Sequence, residues 1–292
     1  MTSRFNARTA GALFAVLMLL HAGAVFVSTG SGNPERLPLV LQLAGLGASL
    51  LAIAGTLQAA RAFGPGDYLR RVWTLFCVSS VLLLVASGMR AGWMIAVPTV
   101  SFDASALAPV RTVLVVVVNL LNASALGLLA LTYRRSGLRP PRSWKSYGLW
   151  LVCAVVAAAA VLPPLRANLA LVAAGGASGV QALASVVSAL GDMAVILLVA
   201  PILRVAYMMR GGRLAWAWWA MAVSGAMWIV YDAHAPLGAL LPGGSEGALA
   251  ALLLVSRTAG IALKGVSGLL QCAALEREAP ASEPAPHAAS AR

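Results

Sequence analysis

Uncharged apolar runs recur along the whole chain, separated by short segments rich in Gly, Pro and Arg. A hydrocarbon core about 30 Å thick is crossed by roughly 20 apolar residues in helical conformation. Eight runs meet that length: 9–30, 38–60, 72–97, 110–133, 145–163, 180–208, 214–233 and 247–275. Breakers fall between them, such as Gly64-Pro-Gly66, Pro163-Pro164 and Pro242-Gly-Gly-Ser245. The pattern predicts an all-α, polytopic transmembrane bundle of eight spans over residues 1–275. The tail 276–292, rich in Ala, Pro, Ser and Glu, is expected to be a disordered cytoplasmic extension. Ala22-Gly23-Ala24 has the small-residue form of a signal-cleavage site, but hydrophobicity continues to Val27 and predicts a retained first helix. Residues 165–180 end in a Gly-rich stretch too short to span and are expected to form a loop.

Polar residues inside the runs follow the helical period. In the last run Arg257, Lys264 and Gln271 recur every seven residues, and in the sixth Gln181, Ser185, Ser188 and Asp192 form one stripe. Counted from the outer end of each run, His21, Ser49, Asn119, Asn122, Asp192, Ser224 and Arg257 all lie about nine to twelve residues in. Arg90 lies a little above this polar layer and Lys264 below it. Intramembrane charges are expensive and turn toward a bundle interior or a water-filled cavity. Asp192 and Arg257 share a depth, so an ion pair between them is expected, which leaves Arg90 and Lys264 without an acid. The serines have a simpler role available, since Ser side chains join membrane helices by hydrogen bonds.

Composition confirms the class: 60% of residues are hydrophobic and 10% charged, with a mean hydropathy of +0.86. A soluble domain carries about a quarter of its residues charged. The net charge of +12 would suggest nucleic acid, but its distribution argues otherwise. With the N-terminus placed inside, fifteen Lys and Arg fall in cytoplasmic segments, three (Arg36, Arg111, Arg166) outside and three within spans. That bias is the positive-inside signal of an N-in, C-in protein of a bacterial-type inner membrane. The informative remainder is the +2 within the spans, from Arg90, Lys264 and Arg257 against Asp192.

Sharper chemistry fails on particular residues. Lys264 in the last helix is similar to the retinal lysine of microbial rhodopsins, but Gly260 stands where that family has an Asp. Gly176-Ala-Ser-Gly179 resembles the rhomboid protease motif without that family's histidine spacing. Gly191-Asp192 and Tyr231-Asp232 resemble the paired aspartates of intramembrane aspartyl proteases, yet their order is reversed and their depths differ. His21 and His234 are separated by roughly 10 Å along the membrane normal, which disfavours a bis-histidine haem. Cys77, Cys153 and Cys272 lie in separate spans and form no metal or disulfide pattern. No cofactor and no catalytic residue is assigned.

The expectation is therefore an integral membrane protein, embedded in the lipid bilayer, that binds or transports a small anionic solute or lipid headgroup. Arg257, Arg90, Asn119, Asn122, His21 and Lys264 would line the site, with Asp192 orienting Arg257. The alternative is a non-catalytic helper or sensor subunit that recruits a membrane-protein partner through the basic loop 134–145, and a third reading is an intramembrane enzyme or pigment-binding protein. Weak matches between spans two to four and six to eight allow two four-helix halves.

Overall fold

The computed structural model describes residues 7–30, 36–135, 144–175, 177–208, 212, 214–244 and 247–276. All of their regular structure is helical. The helices are α1 (Ala7–Gly30), α2 (Leu37–Arg61), α3 (Tyr68–Ala96), α4 (Leu107–Arg135), α5 (Trp144–Ala174), α6 (Ala177–Met208), α7 (Leu214–Asp232), α8 (His234–Ala239), α9 (Ala248–Leu253) and α10 (Val255–Glu276). Eight spans are long and apolar enough to cross a membrane, α9 and α10 together supplying the last. The tail beyond Glu276 and the middle of the basic loop, 136–143, lie outside the described residues, as do the side chains of Arg134, Arg135 and Lys145.

Seven of the eight spans fall within a few residues of their predicted bounds. The loop expected at 165–180 is the exception. α5 continues through Pro163 to Ala174, and the chain breaks at Gly175, whose φ of +78° suits a residue without a Cβ. Leu165, Leu169, Leu171 and Val172 keep the segment apolar, and helix is the state that satisfies its backbone internally. A proline within an apolar span is tolerated for the same reason, as it is at Pro201 inside α6.

Successive spans alternate in direction, as their packing shows. Trp73 and Phe76 near the start of α3 meet Ala59 and Ala60 at the end of α2, Leu129 late in α4, Ile202 late in α6, Trp218 early in α7 and Cys272 late in α10. This buried cluster fills the bundle at the near end, where α1 begins and α10 finishes. Tyr68 ties the same end together, its hydroxyl donating to the Leu128 carbonyl at 2.9 Å. The opposite, far end carries Leu37, Ala96, Leu107 and Asp232.

Helix neighbours run in a ring: α2, α3, α4, α6, α7, α10 and back to α2. α1 lies outside against α2 and α10, and α5 lies outside against α6. Exchanging α1–α4 with α5, α6, α7 and α10 reproduces the ring, an adjacency that two four-helix halves would have. The two closing contacts differ in character. Between α2 and α10, Gly55, Gly265 and Gly268 bring backbone onto backbone: a Cβ on Gly55 would strike the Gly265 carbonyl, and one on Gly265 the Leu51 carbonyl. Between α4 and α6, Asn119 reaches Ser188 and Asp192 beside apolar residues such as Leu129 and Ile202.

Candidate functional site

The interior polar residues do not form one layer. They separate into two groups, one between α10 and the α2–α3 side of the ring and one reaching α4 and α6, because residues on one helix face different neighbours around the ring.

The first group sits at the far end, in a cavity of about 200 Å³ between α2, α3, α7, α10 and Leu254 just before it. Arg90, Arg257, Tyr231, Gln42 and Thr258 supply its polar wall; Leu37, Leu41 and Leu254 supply its apolar wall. Arg257 reaches Ser87 on α3 at 3.4 Å and stacks over the Tyr231 ring, 5.9 Å from its centroid. Arg111 on α4 stacks similarly over Phe102, at 6.0 Å, and lies within electrostatic range of both Arg90 and Arg257. A cation over an aromatic face is held there without using its hydrogen-bond donors. His21, only 3% exposed, lies within range of Arg257, and neither of its ring nitrogens has a partner. Gln42 Oε1, Arg90 Nε and Arg111 Nε are likewise buried without partners. Among the described residues no carboxylate pairs with these three arginines; Asp103, exposed in the turn before α4, acts on Arg111 from a distance.

The second group surrounds a smaller cavity, about 50 Å³, between α3, α4, α6, α7 and α10. Asn119 Nδ2 donates to Ser188 Oγ at 2.8 Å and to Asp192 Oδ1 at 3.0 Å. One turn on, Asn122 Oδ1 accepts from Lys264 Nζ at 2.9 Å and from the Ser79 hydroxyl at 2.8 Å. The Lys264 ammonium also faces the Phe76 ring at 5.8 Å. Asp232 is exposed and lines the same cavity at its far-end margin.

No known family model matches the chain, and no characterised protein or solved structure resembles it significantly. The chemistry therefore rests on this geometry.

Two expectations are corrected. Asp192 and Arg257 are not an ion pair, because Asp192 faces Asn119 across α4 and α6 while Arg257 faces Ser87 and Tyr231. Asp192 and Asp232, set apart by their counted depths, line one cavity and act on each other electrostatically. Depth counted from a helix's own end misleads when α6 has 32 residues and α7 has 19, about 48 Å against about 28 Å. Of the remaining site candidates, the structure places Arg90 and His21 with Arg257, and Asn119, Asn122 and Lys264 with Asp192. Arg111, Gln42 and Tyr231 were not among them. Arg111 had a signal available: a span begun three residues earlier, at Leu107, makes it an intrahelical charge.

Proposed function

We propose that the protein is an inner-membrane protein, N-in and C-in, that binds a small anion or an anionic lipid headgroup in the far-end cavity for recognition or transport. The observation that carries this reading is the meeting of Arg90 and Arg257 in one cavity, with Arg111 of a third helix within electrostatic range and no paired carboxylate among the described residues. Three like charges brought together in a low-dielectric interior repel one another, and an anion is the simplest group that relieves this. Arg supplies planar, bidentate donors suited to carboxylate and phosphate alike. At about 200 Å³ the cavity falls below the roughly 300 Å³ at which pockets for drug-sized ligands begin, which favours a headgroup or a compact solute. Gln42 and Tyr231 provide neutral polar contacts. Asp192 has no part in orienting Arg257 in this arrangement.

Equilibrium binding of inorganic phosphate, a short dicarboxylate and a short-chain anionic lipid to the purified protein tests the proposal. Charge-assisted hydrogen bonds contribute about 1.5–3 kcal/mol each, so Arg257→Gln and Arg90→Gln should each weaken the preferred probe about 10- to 100-fold. Parent-like binding by both variants, or no binding of any probe, sinks the reading.

A further inference from the structure

The second cavity has the opposite sign. Its ionisable groups are Asp192, Asp232 and Lys264, a formal charge of −1 when all three are ionised. Asp192 is poorly satisfied: a carboxylate offers about four acceptor positions, and among the described residues Asn119 is its one donor. Lys264 does not neutralise it by contact. The ammonium, on a residue 4% exposed, is turned to the Asn122 carbonyl oxygen, so two amides one helical turn apart hold the carboxylate and the ammonium separately. An uncompensated carboxylate in such surroundings is costly, and the cost falls when a cation binds.

The donor set identifies that cation. A hard metal ion needs about six oxygen ligands. Asn119 presents its NH2 group to the cavity, and Asn122 Oδ1 is already occupied by Lys264 and Ser79. A proton needs no ligand shell. A space of about 50 Å³ reached by both carboxylates, though most of its lining is apolar, has room for about one or two waters, whose share of liquid volume is about 30 Å³ each, to link the exposed Asp232 to Asp192. No other ionisable side chain lines the cavity from the helices packed on α6. α4 offers Asn119 and Asn122, its Arg111 belonging to the arginine group. α7 offers Asp232, its Tyr231 facing Arg257. α5 carries Tyr147, Cys153 and Arg166, none of them in the lining.

We propose that Asp192 and Asp232 share one exchangeable proton in this chamber, taken up at Asp232 and held at Asp192. Uptake converts one carboxylate to a carboxylic acid and brings the chamber from −1 to neutral. The site goes beyond the anion reading and does not depend on it.

Carbodiimides modify buried carboxyl groups in their protonated form, which makes dicyclohexylcarbodiimide a direct probe. The full-length protein in lipid nanodiscs, with no added anion, would be treated across a range from mildly acidic to mildly alkaline pH and mapped by peptide mass spectrometry. The expected result is an adduct at Asp192 in acidic buffer that falls at least tenfold in alkaline buffer, with a profile that changes in Asp232→Asn. Because the parent protein reports the position of the adduct, the test survives a poorly folding Asp192→Asn. Absence of the adduct at every pH overturns the proposal, and so does a profile unaffected by Asp232→Asn. Protection by sodium at fixed pH assigns the chamber to a metal cation and overturns it as well. Each outcome is read independently of phosphate or lipid binding.

Discussion

Asn122 shows how much one neutral side chain can carry. Its carbonyl oxygen is the acceptor for the buried Lys264 ammonium and also receives the Ser79 hydroxyl, joining α3, α4 and α10 at one atom. Replacing it with Leu keeps the volume and removes the acceptor. A buried donor left without a partner costs about 1–3 kcal/mol, more when charged, so Asn122→Leu should lower the thermal unfolding midpoint in detergent clearly. A midpoint equal to the parent's would mean that Lys264 finds another acceptor. At this scale the sequence is informative about which residues are polar and buried, and uninformative about whom they meet. The helical period puts Asp192 and Arg257 on the inner faces of their helices, but it gives no angle between neighbouring helices. Two residues at one level can therefore face different cavities. Tyr231 and Gln42 escape a sequence reading for a related reason, since an aromatic or an amide near a span end has structural uses that a sequence cannot distinguish from a site.

At the level of elements, the spans themselves are legible because lipid leaves helix as nearly the only solution for an isolated apolar segment of that length. The difference at 165–180 comes from treating Pro163-Pro164 as a stop, a rule drawn from water-exposed helices. Helix contacts are harder to foresee, because glycine is frequent throughout the chain and only some positions use it. Gly265 does: its neighbour is the Leu51 backbone, which has no side-chain freedom with which to yield. Gly265→Ala should force α2 and α10 apart and cost about 1–3 kcal/mol. Gly127 on α4 faces open space, with nothing within 4 Å of where a Cβ would sit, so Gly127→Ala should be neutral or stabilising by up to about 1 kcal/mol. Thermal unfolding of the two variants side by side tests the assignment, and equal effects would refute it. α7 is joined to α10 differently, through Ser224 to the Gly260 carbonyl at 2.6 Å and Ser267 to the Ala217 carbonyl at 2.7 Å.

For the molecule as a whole, the two cavities keep a positive group and a negative group apart within the ring, the positive one at the far end and the negative one reaching from Asp232 down to Phe76. Their exposure to one compartment or the other follows from orientation. The near-end segments carry most of the Lys and Arg, so the proposed topology puts Gly64 in the cytoplasm and Asp103 outside. In a background lacking Cys77, Cys153 and Cys272, a membrane-impermeant maleimide should modify Asp103→Cys in intact cells, and Gly64→Cys only after permeabilisation. The reverse pattern would invert the protein and both of its cavities. The glycine seam carries a consequence for biosynthesis. Chains enter the membrane from the N-terminus onward, so α2 is in place long before α10, on which its glycine seam packs, has been made. Until α10 arrives, the ring is open along the length of α2, and Asn122 has no Lys264 to accept from. Completion of the bundle is thus tied to the synthesis of α10, and a chain ended before α10 would leave the interior of the ring open on the α2 side.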